Sequence, residues 1–327
     1  MFDRDGTVAD RRTFLRAAGV TGTASLAGCI GELTGSGGGD NEVRMILNPA
    51  EGSVDMMEQY APLFDYLESE TDATIEATEA DSYTATVEAI RNEQAELADI
   101  SPSGVIAAPD QMDIVGIRVA YGAERYFSLI TTTPDSDIEE LSDIEGNVIG
   151  LSDRLSVSGS LFPLYMLSEA GLETGSAPDG DPENFEAEHS DHDTALQTLM
   201  NRDDVHAAGT GAFVSTPHVP ADQFSDQFME ISAEADNAGS ADEELQLLAE
   251  SDPIPRAPIV SRSNWDDSLK DDIETALLEV EEDDIVDPDA EEPLWFTGLV
   301  EGSVDDYDPI ANVMDSLGLE FADIADA

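Results

Sequence analysis

The chain has 327 residues, with 73 Asp and Glu against 13 Lys and Arg, a formal charge of −60. A hydrophobic share of 41% supports real cores and excludes an acidic disordered chain. The scarcity of clustered cations excludes a nucleic-acid partner, and the length suits one large domain or two lobes.

In chain order, the first element is an address. In "DRRTFLRAAGVTGTASLAGC", Asp10 to Cys29, the pair Arg11-Arg12 precedes Phe14-Leu15 and a weakly apolar stretch. This resembles a twin-arginine export signal. Leu26-Ala27-Gly28-Cys29 resembles a lipobox, which makes Cys29 the lipid-attachment residue of a signal spanning 1–29. Cys29 is the only cysteine, so no disulfide can form within the chain. Residues 30–42 are Gly- and Ser-rich and read as a flexible tether, with a reach of roughly 15–20 Å for about ten such residues. No other apolar run is long enough to span a bilayer. The expected location is the outer face of the cell membrane, held through a lipid anchor.

From Val43 onward, short apolar runs alternate with amphipathic stretches. Strands are expected at 43–47, 75–78, 97–100, 114–120, 126–133, 148–151, 205–210 and 259–261. Helices are expected at 54–68, 83–96, after the 153–163 loop, and at 270–280. In the first helix Met57, Tyr60, Ala61, Phe64 and Leu67 share one face. Such alternation implies α/β layers with parallel sheets, and ligand sites at strand C-terminal ends. Two extended stretches, 130–134 and the proline-rich "DPIPRAP" of 252–258, read as crossovers between lobes. The expected layout is a first lobe from 43 to 131, a second from 132 to 254, and a return with C-terminal helices over 255–327.

The stretch "DRLSVSGSLFP", Asp153 to Pro163, places small hydroxyl and glycine residues where a strand ends and a helix begins. Backbone amides at such a point are available to an anion. Ser156 and Ser158 offer hydroxyls, the amides of 158–160 offer N–H groups, and Gly159 permits close backbone approach. An ordinary serine N-cap is the structural alternative.

Five segments resemble, in order, the phosphonate-binding proteins of ABC importers (the PhnD family). They are "DSYTATVEAIRNEQAELADISPS" (81–103), "ERYFSLITT" (124–132), "LSDIEGNVIGLSDRLSVSGSLFP" (141–163), "HDTALQTLMNRDDVHAAGTG" (192–211) and "DPIPRAPIV" (252–260). The resemblance covers about 43–263. It implies an α/β, type II periplasmic-binding-protein fold: two α/β lobes joined by two crossover segments, closing on a phosphonate, phosphite or phosphate-like oxyanion. It also implies ABC permease and ATPase subunits as partners. By position, Tyr83 and Tyr126 match the binding tyrosines, and Ser156, Val157, Ser158 and Gly159 the hydroxyl loop, with Val157 in place of a threonine. His192 matches the binding histidine. Ser101 and Ser103 extend the donor set or form a proline turn. Packing at an element end is the alternative for the tyrosines.

Relatives that take aminoalkylphosphonates place carboxylates where this chain has residues near Phe213 and at Ala257. Neither is acidic, which argues against a zwitterionic aminophosphonate. His189, Asp191 and Asp193 suggest a loose metal set without defined spacing, with a solvated acidic loop as the alternative. No metal or cofactor is expected. Arg125, Arg154 and Arg256 are scarce cations, for which surface ion pairing is the default and bidentate anion contact the alternative.

The acidic residues are spread from end to end, which reads as solvent adaptation and resembles the proteins of extreme halophiles. At 1 M salt the Debye length is about 3 Å, so the net charge does not repel an anion beyond contact. Two other function classes stand beside the binding protein. One is a sensory binding subunit for a membrane kinase. The other is an exported phosphoester or metal hydrolase, which no Ser–His–Asp order or paired catalytic carboxylate supports. The expectation is therefore a binding protein and not an enzyme.

Overall fold

The computed structural model describes residues 41–49, 55–120, 122–242, 244–287, 290 and 293–319. The export signal, Cys29 and nearly all of the tether lie outside the described residues.

The strands gather into a six-stranded sheet, a five-stranded sheet and a two-stranded ribbon. The first sheet runs Gly298–Val300, Met112–Val119, Pro258–Arg262, Leu97–Asp99, Glu42–Leu47, Thr74–Glu79. The second runs Gln246–Glu250, Ser128–Thr132, Ala207–Gly211, Val148–Leu151, Glu186–His189. Neither sheet is wholly parallel. Glu42–Leu47 is parallel to both neighbours, but Pro258–Arg262 runs antiparallel to Leu97–Asp99 and Met112–Val119. Ser128–Thr132 is likewise antiparallel to both of its neighbours. These reversed strands are the ones that adjoin the passages between sheets, where no helical crossover intervenes.

The passages differ from expectation at one point. Ser128–Thr132 is a fully buried strand of the second sheet, so the first crossing occurs before it and not at 130–134. The second crossing includes Ile254–Pro255, which pairs antiparallel with Arg125–Tyr126. The two connecting segments thus form one ribbon. The Arg256 amide donates to the Glu124 carbonyl at 3.1 Å, and the Ser251 amide to Ser128 at 2.9 Å.

Helix Met56–Glu70 begins one residue after Asp55, whose carboxylate caps the amides of Met57 and Glu58 at 3.1 Å. Met56, Tyr60, Leu63 and Leu67 form its buried face. That face is rotated from the expected one, and Met57 is among the exposed large hydrophobics. With Ser268–Glu279, this helix covers the first sheet in a core that includes Leu47, Leu97, Ile273 and Phe296. A second cluster joins Ile90, Ile100, Val105 and Tyr307 to Val157, Leu161 and Phe162. The turn after Val148–Leu151 therefore packs against elements of the first sheet. Among the described residues, no helix is long and apolar enough to cross a membrane.

Candidate ligand-binding site

Strand ends from both sheets open on one cavity of about 460 Å³. Leu97–Asp99 delivers Ser101, Glu42–Leu47 delivers Asn48, Val148–Leu151 leads to Ser156, and Ala207–Gly211 leads to Phe213. Tyr83, the first residue of helix Tyr83–Arg91, and Tyr126, from the ribbon, also line it. Of the residues expected at a ligand, Tyr83, Ser101, Tyr126, Ser156 and Val157 share this wall. Ser103, Ser158, Gly159 and His192 are not part of the wall, and each is held by contacts within the protein.

Those contacts define the hydroxyls' roles. The Ser103 hydroxyl donates to the Leu155 carbonyl at 2.8 Å, so its proton is committed. Ser101 Oγ lies 2.9 Å from Ser103 Oγ and must therefore be the donor of that pair. Ser101 also accepts from the Gly104 amide at 3.2 Å, as the N-cap of helix Pro102–Ala107. In this arrangement neither serine has a proton left for a ligand. Ser101 keeps one acceptor position, which corrects its expected role as a donor.

The turn that begins at Ser156 is a π-turn, Val157–Leu161, running into helix Phe162–Glu169. The amides of Ser160 and Leu161 both bond the Ser156 carbonyl at 3.0 Å, and Gly159 donates to Ser156 Oγ at 3.2 Å. The expected amide donors at 159 and 160 are thus consumed inside the turn. The amides of Val157 and Ser158 precede its first bond and have no partner among the described residues. The Ser158 carbonyl accepts from the Ser128 hydroxyl at 2.6 Å, tying the turn to its own sheet. Val157 lines the cavity and also belongs to the apolar cluster around Ile100 and Ile254. The glycine is required behind the wall: a Cβ on Gly159 would lie 2.2 Å from Ser152 Cβ and 2.6 Å from His192 Cε1. The close approach it permits is to the protein's own side chains.

His192 opens helix His192–Asn201, capped by Asp191, and is buried. Its Nδ1 faces the Gly211 amide at 2.9 Å, and its Nε2 faces Ser156 Oγ at 3.0 Å. Phe213 stands edge-on to its ring, with centroids 5.0 Å apart. His189 lies in a strand, not in a solvated loop, and donates from Nδ1 to the Ser152 carbonyl at 2.8 Å. Burial holds its imidazole below the ordinary value. Among the described residues, no group of three or more His, Cys, Asp or Glu is arranged to hold a metal.

The far wall carries charges that the sequence reading did not place there. Arg118 Nη1 lies 2.5 Å from Asp99 Oδ2, with both side chains buried and both residues in the wall. Tyr60 donates to the same carboxylate oxygen. Burial, then the charge of Asp99, pushes the Tyr60 phenol well up from its ordinary value. The Arg118 guanidinium lies over the Trp295 ring, 4.4 Å from its centroid. Arg256, expected at the surface, is 4% exposed, bonds Glu234 at 3.0 Å and donates to the Ala123 carbonyl. Arg154 instead donates to the carbonyls of Pro178 and Asp179. Phe213 and Ala257 do line the cavity, so the positions expected for carboxylates are present without them. Asp99, Asp193 and Glu234 are carboxylates of the same wall, and Asp99 and Glu234 are each charge-compensated by an arginine. The signal that could have found them was scarcity: Arg118 and Arg256 are two of only 13 cations, and both lie in buried strand or ribbon context.

The family described as ABC transporter, phosphonate, periplasmic substrate-binding protein matches residues 45–307. The phosphate-import protein PhnD of Mycolicibacterium smegmatis is 30% identical over 162 residues, 47% of this chain and 50% of that protein. The match thus spans about half the length of this relative. A binding protein component of an ABC phosphonate transporter from Pseudomonas aeruginosa superposes with a TM-score of 0.62 at 19% identity, covering 85% of this chain and 87% of that one. PhnD1 of Prochlorococcus marinus, solved in complex with methylphosphonate, gives 0.63 at 12% identity, covering 86% and 99%. Both likenesses show the type II periplasmic-binding fold.

Proposed function

As the chain belongs to the family of periplasmic substrate-binding proteins of phosphonate ABC transporters, we propose that it captures a phosphonate, phosphite or phosphate-like oxyanion and delivers it to an ABC permease and its ATPase. The observation that carries this is the cavity at the strand ends of both sheets, which Tyr83, Tyr126 and Ser156 all line. Hydrogen bonds to a charged ligand are worth about 1.5–3 kcal/mol each, so a few suffice for micromolar binding after association costs. Because the wall carboxylates Asp99 and Glu234 are each engaged by an arginine, a ligand ammonium finds no uncompensated partner in those two, and Phe213 and Ala257 supply none. Phosphate, phosphite or a small uncharged alkylphosphonate is the preferred class. The test is titration calorimetry of the purified protein in molar KCl with phosphite, phosphate, methylphosphonate, 2-aminoethylphosphonate and sulfate. Binding of none of the phosphorus oxyanions, with binding of an organic amine or carboxylate instead, defeats the reading.

The proposed layout is export by a twin-arginine signal over 1–29, lipid attachment at Cys29, a tether over 30–42, and two lobes from 43 onward. Its Gly/Ser-rich composition supports the tether, and the Arg11-Arg12 to Cys29 pattern supports the anchor. A Cys29→Ser protein that still partitions with membranes in cells would defeat the anchor. Adaptation to molar salt is proposed from the −60 charge, since self-repulsion is relieved by screening. A melting temperature that fails to rise between low and molar KCl would remove it.

A further inference from the structure

We infer that His192 is a positioning residue that makes Ser156 a hydroxyl able only to donate to the ligand. The inference rests on the binding reading above and specifies how one wall group performs it. The Gly211 amide can only donate, so His192 Nδ1, 2.9 Å away, must be unprotonated. The neutral imidazole then carries its proton on Nε2, which faces Ser156 Oγ at 3.0 Å. The Gly159 amide donates to the same oxygen at 3.2 Å. A serine oxygen has two lone pairs, and these two donors occupy both. Only the hydroxyl proton of Ser156 is left, and the residue lines the cavity.

The arrangement is built into the backbone. Gly211 ends strand Ala207–Gly211, and Gly159 sits in the π-turn. His192 is itself 1% exposed and is not part of the cavity wall. An imidazole in this position does not need to touch the ligand to govern its binding. It prevents Ser156 from turning its proton inward and acting as an acceptor. The ligand atom facing Ser156 must then be an acceptor, the role P–O⁻ fills best, and a P–OH group cannot give its proton to this residue. Ser101, with its proton committed to Ser103, is the opposite case and can accept.

The test uses methylphosphonate as probe and two measurements. Long-range proton–nitrogen spectra of the wild-type protein should show His192 as the Nε2–H tautomer, unchanged on adding methylphosphonate. By calorimetry, His192→Phe should weaken binding at least tenfold, while His192→Gln, which can accept from Gly211 and donate to Ser156, should restore most of it. In a Ser156→Ala background, His192→Phe should add less than twofold, because the residues act as one unit. An Nδ1–H tautomer overturns the inference. So does a full tenfold loss from His192→Phe on top of Ser156→Ala, which would mean direct ligand contact. If His192→Phe does not fold, the wild-type tautomer still decides. Failure of the wild-type protein to bind any oxyanion overturns the binding reading itself and is distinct from either result.

Discussion

Arg118 and Asp99 meet at 2.5 Å with almost no exposure of either side chain, and Tyr60 bonds the same carboxylate. A buried pair of this kind contributes little relative to an apolar pair, but breaking it is costly, because the survivor is an uncompensated buried charge. Arg118→Met should therefore destabilise the fold by about 3–5 kcal/mol. Urea unfolding monitored by circular dichroism measures it. A loss under 1 kcal/mol would mean that Asp99 is neutralised or solvated in the variant.

The second wall pair governs ligand charge. Glu234 is bonded by Arg256 at 3.0 Å, and both line the cavity. Arg256→Gln keeps a donor for the Ala123 carbonyl but removes the positive charge. The released carboxylate should then attract a ligand ammonium. The affinity ratio of 2-aminoethylphosphonate to methylphosphonate is expected to rise about tenfold, equivalent to about 1.4 kcal/mol. Parallel calorimetric titrations of the two ligands check this, and an unchanged ratio would place the ligand substituent away from Glu234.

These residues mark where the sequence was legible and where it was not. Strand–helix alternation foretold most elements, and Val148–Leu151 has the expected bounds. Periodicity reports burial of a local face, so it served for Leu97–Asp99 and the Tyr83 helix. It does not report strand direction, which depends on how the chain returns, and so the reversed strands Ser128–Thr132 and Pro258–Arg262 were read as parallel. Strands Glu186–His189 and Gln246–Glu250, with partly exposed residues and little apolar alternation, left no signal. At the site, family order pointed to the 156–159 turn and His192, of which Ser156 and Val157 line the cavity. Which of these groups faces the cavity depends on hydrogen bonds between residues far apart in sequence, such as His192 to Gly211. The Arg118–Asp99 and Arg256–Glu234 pairs were hidden by the abundance of acids, since any arginine here has many candidate partners.

Glu96 couples stability to acid. Burial alone would raise its carboxyl, but hydrogen bonds from the Arg44 guanidinium and amide, together with Arg262, outweigh that and hold it below its ordinary value of 4.5. A group whose folded value is depressed binds fewer protons in the folded state than in the unfolded one, so stability rises with pH across that interval. The contribution is fully present above 4.5 and is lost as pH falls through the lower folded value. Glu96→Gln should lower stability at neutral pH and flatten the acid limb below 4.5. Melting temperatures from pH 7 downward, compared with wild type in constant KCl, provide the measurement. Parallel acid limbs in the two proteins would assign the acid sensitivity to other carboxylates.

Gly159 connects packing to binding. Its missing side chain lets Ser152 and His192 approach the π-turn, and a Cβ would meet them at 2.2 and 2.6 Å. The nearest of these atoms is a Cβ and not the tip of a flexible chain, so backbone must move. Overpacking of this kind costs about 1–3 kcal/mol. Relief by moving the turn separates the Gly159 amide from Ser156 Oγ, and relief by moving His192 separates Nε2 from the same oxygen. Either way one of the two donors that orient the Ser156 hydroxyl is lost. Gly159→Ala should therefore weaken methylphosphonate binding by more than tenfold while the protein remains folded in molar KCl. Calorimetry alongside circular dichroism separates the two effects. A folded Gly159→Ala protein with wild-type affinity would show that the turn tolerates displacement and that the Ser156 hydroxyl does not depend on its supports.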